Sequence, residues 1–493
     1  MAEIDEIEKL RDSLIEELEQ RRPLVDLYDA YMQGRHICGF HPAEERQVAD
    51  MISAVADNWC ETIVLAATER MDVQGLILSS LPRVEDDPLR EDFSAWDLWR
   101  RNGLDEDSPL LFDTAVTHGE AYLLVWPDED DQEKAQITVE HPAQMVVRYS
   151  PHNRRKIIAA LKLWIDEDER ETVYMWTPGG LHRWRRNGGR GMGLEPIEDL
   201  DFSRNPFASK VVPVFPLINR PQARPAPPPG ILLSSPHHLG RHAIGLGRSD
   251  LANVISTQDE INHLLRAMLV AAEYQAFQQR WVIGLEREDE DPDDEESVGP
   301  PFIAGPGNLW EGESPDMKFG AFPAADLSMF LNAMENRRNS MASRSNTPAY
   351  YFGGGNISNV SEGGLKALDT GLVARIRNKF RPYGGGMRRA IMCALTYEQP
   401  DLAGAQVDVD WADPESRTEA QHVDAGIKKI AAGVPPQQIW EDLGYSPEQI
   451  ARFRSWALQN ATEDFLLNLN TGPQELTAGT VADEAVSDAV DIG

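Results

Sequence analysis

The sequence predicts an α+β protein in which helices outweigh strands. Three observations lead there. Apolar residues recur at helical spacing over long stretches near both ends of the chain. Between about 121 and 218 that period gives way to short apolar-alternating segments separated by acidic or Gly/Pro turns. From about 249 onward the order becomes helix, compact insertion, helix, glycine-rich loop, helix.

The elements follow in chain order. Ile4, Ile7, Leu10, Leu14 and Leu18, continued by Leu24, Leu27, Tyr28 and Tyr31, mark a helix over 3–33, with a break or a new first turn expected at Pro23. Val48, Met51, Ile52, Val55, Trp59, Ile63 and Ala67 share a face of a second helix over about 43–70. A third helix over about 107–118 ends at Gly119. Strands are expected at Ala121–Trp126, Gln136–Glu140, Met145–Tyr149, Ile157–Ile165, Thr172–Trp176 and Leu181–Trp184. Val211–Ile218 carries Pro213 and Pro216, so it reads as an edge strand or extended segment. Arg220–Gly230 holds five prolines and is a stiff loop.

A long amphipathic helix then spans about Ser249–Gln279, with Ser249 as its N-cap. Residues 281–323 hold six prolines and the acidic run Glu286–Glu296. A second helix begins near Ala324. After the glycine-rich loop, Leu365, Leu368, Leu372, Ile376, Phe380, Tyr383 and Met387 mark a third long helix. Gly384–Gly386 interrupt it at about 1 kcal/mol each relative to Ala, so a kink or break is expected there. A helical segment over about 414–457 follows, with Asp413-Pro414 as cap and first position and Ser446–Gln449 as a capping box. Beyond about 466 the chain is small, polar and acidic, and disorder is expected.

Composition restricts function. The chain has 493 residues, with 81 acidic against 47 basic, a formal net charge of −34. Such a surface repels nucleic acid except at a local basic patch. Cys38, Cys60 and Cys393 are distant, odd in number and form no CxxC pair, which fits a reducing compartment. The acidic start is not a signal or transit peptide, and no apolar run is long enough for a membrane span.

No P-loop, GxSxG, HExxH or EF-hand pattern occurs. Gly245-Leu-Gly247 before a helix is either a phosphate cradle or, as its missing third glycine suggests, a turn. His237, His238 and His242 cluster in a loop without a nearby carboxylate or Cys. Asp408, Asp410 and Asp413 alternate around Trp411, as a metal-holding carboxylate set for a nuclease or as a polar strand end running into a helix cap. No catalytic residue, metal ligand or cofactor is assigned. One segment opposes the net charge: Lys366, Arg375, Arg377, Lys379, Arg381, Arg388 and Arg389. It reads either as a helix face paired with acidic neighbours or as a non-specific contact to phosphate backbones.

Several segments, in order, resemble the portal proteins (head–tail connectors) of long-tailed phages. His118-Gly-Glu-Ala-Tyr-Leu-Leu-Val125 is similar to the family's YGxAYxxV strand entry, with His in place of the aromatic. Val212–Asn219 resembles VPVVxFxN. Gly247-Arg-Ser-Asp-Leu251 and Gln258-Asp-Glu-Ile-Asn262 resemble GxSDL and QDxxN. Asn356–Lys366 is similar to a Ser-Gly-x-Ala-Leu-Lys loop end, with Ser-Glu-Gly-Gly as a departure. Trp411-Ala-Asp-Pro414, the Lys428–Gly433 helix end and Leu443-Gly-Tyr-Ser446 resemble the family's C-terminal pattern.

The resemblance implies a mainly helical portal fold with a β-rich wing, assembled into a ring of twelve. Residues 1–247 and 365–400 would be wing and tunnel helix, 248–280 and 324–346 the stem helices, and 281–323 the clip. Residues 347–364 would be the tunnel loop, 401–465 the crown and 466–493 a disordered tail. Gly354, Asn356, Ser358 and Asn359 would line the channel, and Phe302, Trp310, Met317 and Phe319 would bind partners at the clip. Lys366, Arg375, Arg377, Lys379 and Arg381 would form the basic patch of the tunnel helix. Implied partners are further copies of the chain, the terminase large subunit, a head–tail adaptor, major capsid and scaffolding proteins, and double-stranded DNA passing non-specifically. The setting would be the capsid vertex of a virion assembled in host cytoplasm, with no membrane and no enzymatic activity. The alternatives are a metal-dependent nuclease and another capsid-associated structural protein.

Overall fold

The computed structural model describes residues 2–36, 56–79, 94–186, 193–197, 205–207, 210–221, 247–276, 280–283, 317–321, 326–354, 362–415, 426–434, 439–440, 445 and 449–459. The chain forms two compact units, residues 1–416 and 417–493.

The first unit begins with α1 (Ala2–Met32), continuous through Pro23. The expected break is absent for a local reason. Pro23 and Glu19, whose carbonyl loses the amide partner, are both exposed, so solvent can take the freed acceptor. Next come α2 (Cys60–Thr68), β1 (Val73–Ser79), α3 (Ser94–Arg101) and α4 (Leu104–His118). Helix α4 stops at Gly119, whose φ of +93° is left-handed and open to glycine at little strain. Strands β2 (Glu120–Pro127), β3 (Ala135–Glu140) and β9 (Val214–Ile218) form one antiparallel sheet, with Pro216-bearing β9 at its edge as expected. Strands β4 (Met145–Ser150), β5 (Asn153–Ile165), β6 (Glu171–Thr177), β7 (Gly180–Arg186) and β8 (Glu195–Pro196) form a second sheet, a meander.

Alternation along these strands builds layers. Val146, Leu161, Leu163, Val173 and Met175 face Leu14 and Leu18 of α1. Met145, Val147, Ala160 and Trp176, pointing the other way, pack with Tyr122, Leu124 and Val214 of the first sheet. Ala121, Leu123 and Val125 of β2 then join the largest core, with the helices. β2 is therefore buried on both faces, and one residue of register slip would invert every contact. Fully burying Leu14 or Leu18 stabilises by about 1.5–3 kcal/mol each as an upper bound.

The long helices close the unit. A 3₁₀ turn at Leu251–Asn253 precedes α5 (Ile255–Ala276). Strands β10 (Arg280–Ile283) and β11 (Lys318–Ala321) pair antiparallel, and α6 (Ser328–Ser345) returns along α5. After the 3₁₀ turn Ala349–Phe352 comes α7 (Glu362–Glu398), unbroken through Pro382 and Gly384–Gly386. The expected break at the glycines does not occur, and Gly386 permits a close backbone approach. A Cβ on Gly386 would lie 2.7 Å from the carbonyl oxygen of Pro216, and one on Gly384 would meet the Trp411 indole at 3.6 Å. Finally β12 (Gln406–Trp411) pairs antiparallel with β1, a strand pair missed because its residues are divided between two distant, short runs.

The second unit holds helical stretches over 426–431 and 449–459. The first ends at Gly433 with φ +93°. Ile439 and Ile450 are buried, and Phe453 packs edge-on against Trp440 and Tyr445.

Candidate functional site, a buried charge junction beneath the long helices

The segment Gly247–Leu251 enters the fold where three chain segments cross. Asn219 donates its amide to the Gly119 carbonyl at 2.8 Å, and Arg248 donates to the Asn219 carbonyl at 2.7 Å. A Cβ on Gly247 would lie 1.6 Å from the Gly119 oxygen. Gly247 thus serves backbone packing, which assigns it to the turn reading rather than to a phosphate cradle; Gly245 lies outside the described residues. Ser249 Oγ accepts from the Leu251 amide at 3.0 Å, capping the 3₁₀ turn rather than the long helix itself.

That entry fixes Asp250, which is almost wholly buried. Its Oδ2 accepts from Arg375 Nε at 2.8 Å and lies 2.7 Å from Lys379 Nζ. Its Oδ1 accepts from Asn219 Nδ2 at 3.0 Å and meets Arg220 Nε at 3.1 Å. Lys379 also donates to Asn219 Oδ1. Arg375 extends the junction further. Its Nη1 donates to the Ser345 carbonyl and to Thr347 Oγ1, and its Nη2 donates to the Ile63 carbonyl. One guanidinium therefore ties α7 to the base of α5, the end of α6 and α2. Its charge also suits the carbonyl-rich end of α6.

The electrostatics follow from burial and neighbours. Burial opposes the Asp250 carboxylate, but Arg375, Lys379 and Arg220 outweigh it and hold the group well below the usual carboxylate range. Burial pulls Lys379 down to about 8 against the attraction of Asp250, with Arg375 adding repulsion.

Two further clasps flank this junction. Gln258 Oε1 accepts from the Trp59 amide at 3.0 Å and Asn262 Oδ1 from the Asp57 amide at 3.0 Å, so the polar residues of the motif on α5 satisfy donors at the start of α2. Tyr350 donates to Asp369 at 2.6 Å, and Arg70 bridges Asp369 and Tyr351. They anchor the 3₁₀ turn before the glycine-rich loop to α7.

The basic patch separates into two faces. Arg375 and Lys379 turn inward to Asp250. Arg377 is exposed and pairs with Asp413 at 2.9 Å, Arg388 is exposed and pairs with Asp408 at 3.0 Å, and Arg381 is exposed. Lys366 is half-buried. Gly354 ends the 3₁₀ turn, donating to the Ala349 carbonyl at 3.2 Å, while Asn356, Ser358 and Asn359 lie outside the described residues. On the clip segment, Met317 is half-buried and Phe319 exposed on β11; Phe302, Trp310 and the acidic run Glu286–Glu296 lie outside the described residues.

The aspartates around Trp411 sit on β12 and beyond, and Asp408 and Asp413 pair with the arginines just named. Among the described residues, three potential metal donors converge only at Asp29, His118 and His141. His237, His238 and His242 lie outside them. Sequence reading missed both Asp250 and the His118 cluster. The signal for Asp250 was present, since it lies in the Gly247–Leu251 motif, but no role was given to it.

The junction locks the long helices α5, α6 and α7 to one another and to the sheet edge beside them. A family model described as phage portal protein, SPP1 Gp6-like, matches residues 11–450, and the chain belongs to that family. The chain is 24% identical to the portal protein of Mycobacterium phage L5 over 484 residues, covering 94% of this chain and 90% of that one. It is likewise 24% identical to the portal protein of Mycobacterium phage D29 over 412 residues, 80% and 77% of the two chains. Among solved structures, a chain in the neck of an empty gene transfer agent particle, computed with C6 symmetry, aligns with TM-score 0.40 and 13% identity over 84% of this chain and 96% of that one. A chain in the virion of a native gene transfer agent aligns with TM-score 0.38 at 13% identity, over 86% and 99%.

Proposed function

We propose that the chain is the repeating subunit of a portal ring at one capsid vertex, through which double-stranded DNA enters and leaves. The family match over residues 11–450 carries this reading. Twelve copies, each contacting the next head to tail, would close the ring. Exposed Met329 and Leu331 on α6 and Leu368 on α7 supply apolar surface for such contacts. The ring is a conduit with no catalytic site of its own. In this reading the terminase large subunit and the head–tail adaptor dock on the clip, and major capsid and scaffolding proteins surround the ring in the virion, after assembly in host cytoplasm.

The paired helices α5 and α6, leading into the β10–β11 ribbon, support stem and clip at 248–346. The second compact unit, residues 417–493, overlaps most of the proposed crown at 401–465. DNA contact by the tunnel helix is confined to its outward cations, chiefly Arg381 and Arg377. The acidic balance of the chain disfavours tight binding of a polyanion, as passage requires. Negative-stain imaging of the purified chain tests the ring, with annular particles around a central channel expected. A chain that stays monomeric under every assembly condition overturns it.

A further inference from the structure

The chemistry left unassigned lies where α1, α4 and the turn after β3 meet. Asp29 sits on α1, His118 is the last residue of α4, and His141 opens the turn between β3 and β4. Their donor atoms converge. His118 Nε2 lies 3.1 Å from Asp29 Oδ1 and 3.1 Å from His141 Nε2, and His141 Nε2 lies 3.9 Å from Asp29 Oδ1. The point equidistant from these three atoms is about 2.0 Å from each, the length of a bond from zinc to imidazole nitrogen or carboxylate oxygen.

Without a cation, the protons do not suit this triangle. Ala143 donates its amide to His141 Nδ1 at 3.2 Å, so the His141 proton sits on Nε2. If that proton serves His118, a bare His118 Nε2 faces the Asp29 carboxylate lone pair to lone pair. If His118 Nε2 instead carries a proton to Asp29, two N–H groups face each other at 3.1 Å. A central cation removes both conflicts, because all three atoms then present lone pairs inward. The contact given up is the one from Ala143, as the His141 proton moves to Nδ1.

We propose that Asp29, His118 and His141 form a binding site for a divalent transition-metal ion of the zinc class. Two imidazoles and one carboxylate favour zinc, cobalt, nickel or copper over the hard cations magnesium and calcium. The His118 side chain is 3% exposed, whereas Asp29 and His141 are 31% and 36% exposed. The ion therefore enters from the solvent side against one rigid ligand and keeps a position open to water. The end of α4 contributes further, since helix C-termini favour positive charge. Bound there, the ion joins three segments distant in sequence: α1, the α4–β2 corner and the turn leading into the five-stranded sheet. The site does not depend on the ring reading.

Cobalt titration of the chelator-treated full-length protein is the test. The expected result is one Co²⁺ per chain with visible d–d absorption of a low-coordinate site, displaced by Zn²⁺, and a raised melting temperature with either ion. His141→Ala, at a partly exposed position, and the isosteric Asp29→Asn each weaken binding at least about tenfold. The triple variant His237→Ala/His238→Ala/His242→Ala binds as the parent does. Absence of the absorption, its persistence in both His141→Ala and Asp29→Asn, or its loss in the triple variant overturns the proposal. In the first case the cluster is a histidine–histidine hydrogen bond alone.

Discussion

One helix carries two kinds of cation, and comparing its faces shows what position does to charge. On the inward face of α7, Arg375 and Lys379 are nearly inaccessible and share Asp250. On the outward face, Arg377 and Arg388 pair with Asp413 and Asp408 across exposed surface. Residues 375, 377 and 379 are alike in type along the sequence but alternate in role. The inward pair is held by a low-dielectric surround in which a missing anion has no substitute. The outward pairs compete with water and salt, so their net worth is small.

The largest expected effect comes from breaking the inward face. Asp250→Asn leaves two buried cations without an anion and costs about 3–5 kcal/mol, read as a fall in the urea midpoint. Loss of less than 1 kcal/mol would place water in the junction and erase the contrast. A pH series sharpens the same face. Lys379 titrates at about 8 when folded and at about 10.4 when unfolded. Between those values the unfolded chain binds more protons, so stability rises with pH there, by at most about 3 kcal/mol. Below about 8 both states are protonated and the penalty is constant. Lys379→Met removes the rise, measured as urea midpoints from pH 7 to 10.5.

The glycines give a smaller contrast. Gly386→Ala drives a Cβ to 2.7 Å from the Pro216 carbonyl and costs about 1–3 kcal/mol. Its neighbour Gly385 would meet only the end of the Arg389 side chain at 3.9 Å, so Gly385→Ala stabilises by about 0.5–1 kcal/mol. Thermal melts of the two variants should move in opposite directions. The smallest effect is Arg377→Ala, at most about 1 kcal/mol and vanishing in high salt, since the Arg377 side chain is 53% exposed. A salt-independent loss would show that the outward face is not screened.

Much of this fold was legible from residue order. Period-two segments between 121 and 218 became the strands of two sheets, because alternation states which residues face each layer. The stripe on α7 was equally clear, and so were the helix–insertion–helix order and the portal motifs. Local rules misjudged Pro23, where exposure overrode propensity, and Gly384–Gly386, where the helix runs on and Gly386 permits a close backbone approach.

By itself, then, the sequence determined the long helices, the strands between 121 and 186 and the family, all of which depend on local periodicity and motif order. Only the tertiary structure decided which cations are inward. Arg375 and Lys379 are separated from Asp250 by more than a hundred residues, and no local pattern states that their side chains meet. The same holds for Asp29, His118 and His141, and for β1 with β12. Electrostatic role depends on burial and on partners brought together by folding, and both are properties of distance in space rather than distance along the chain.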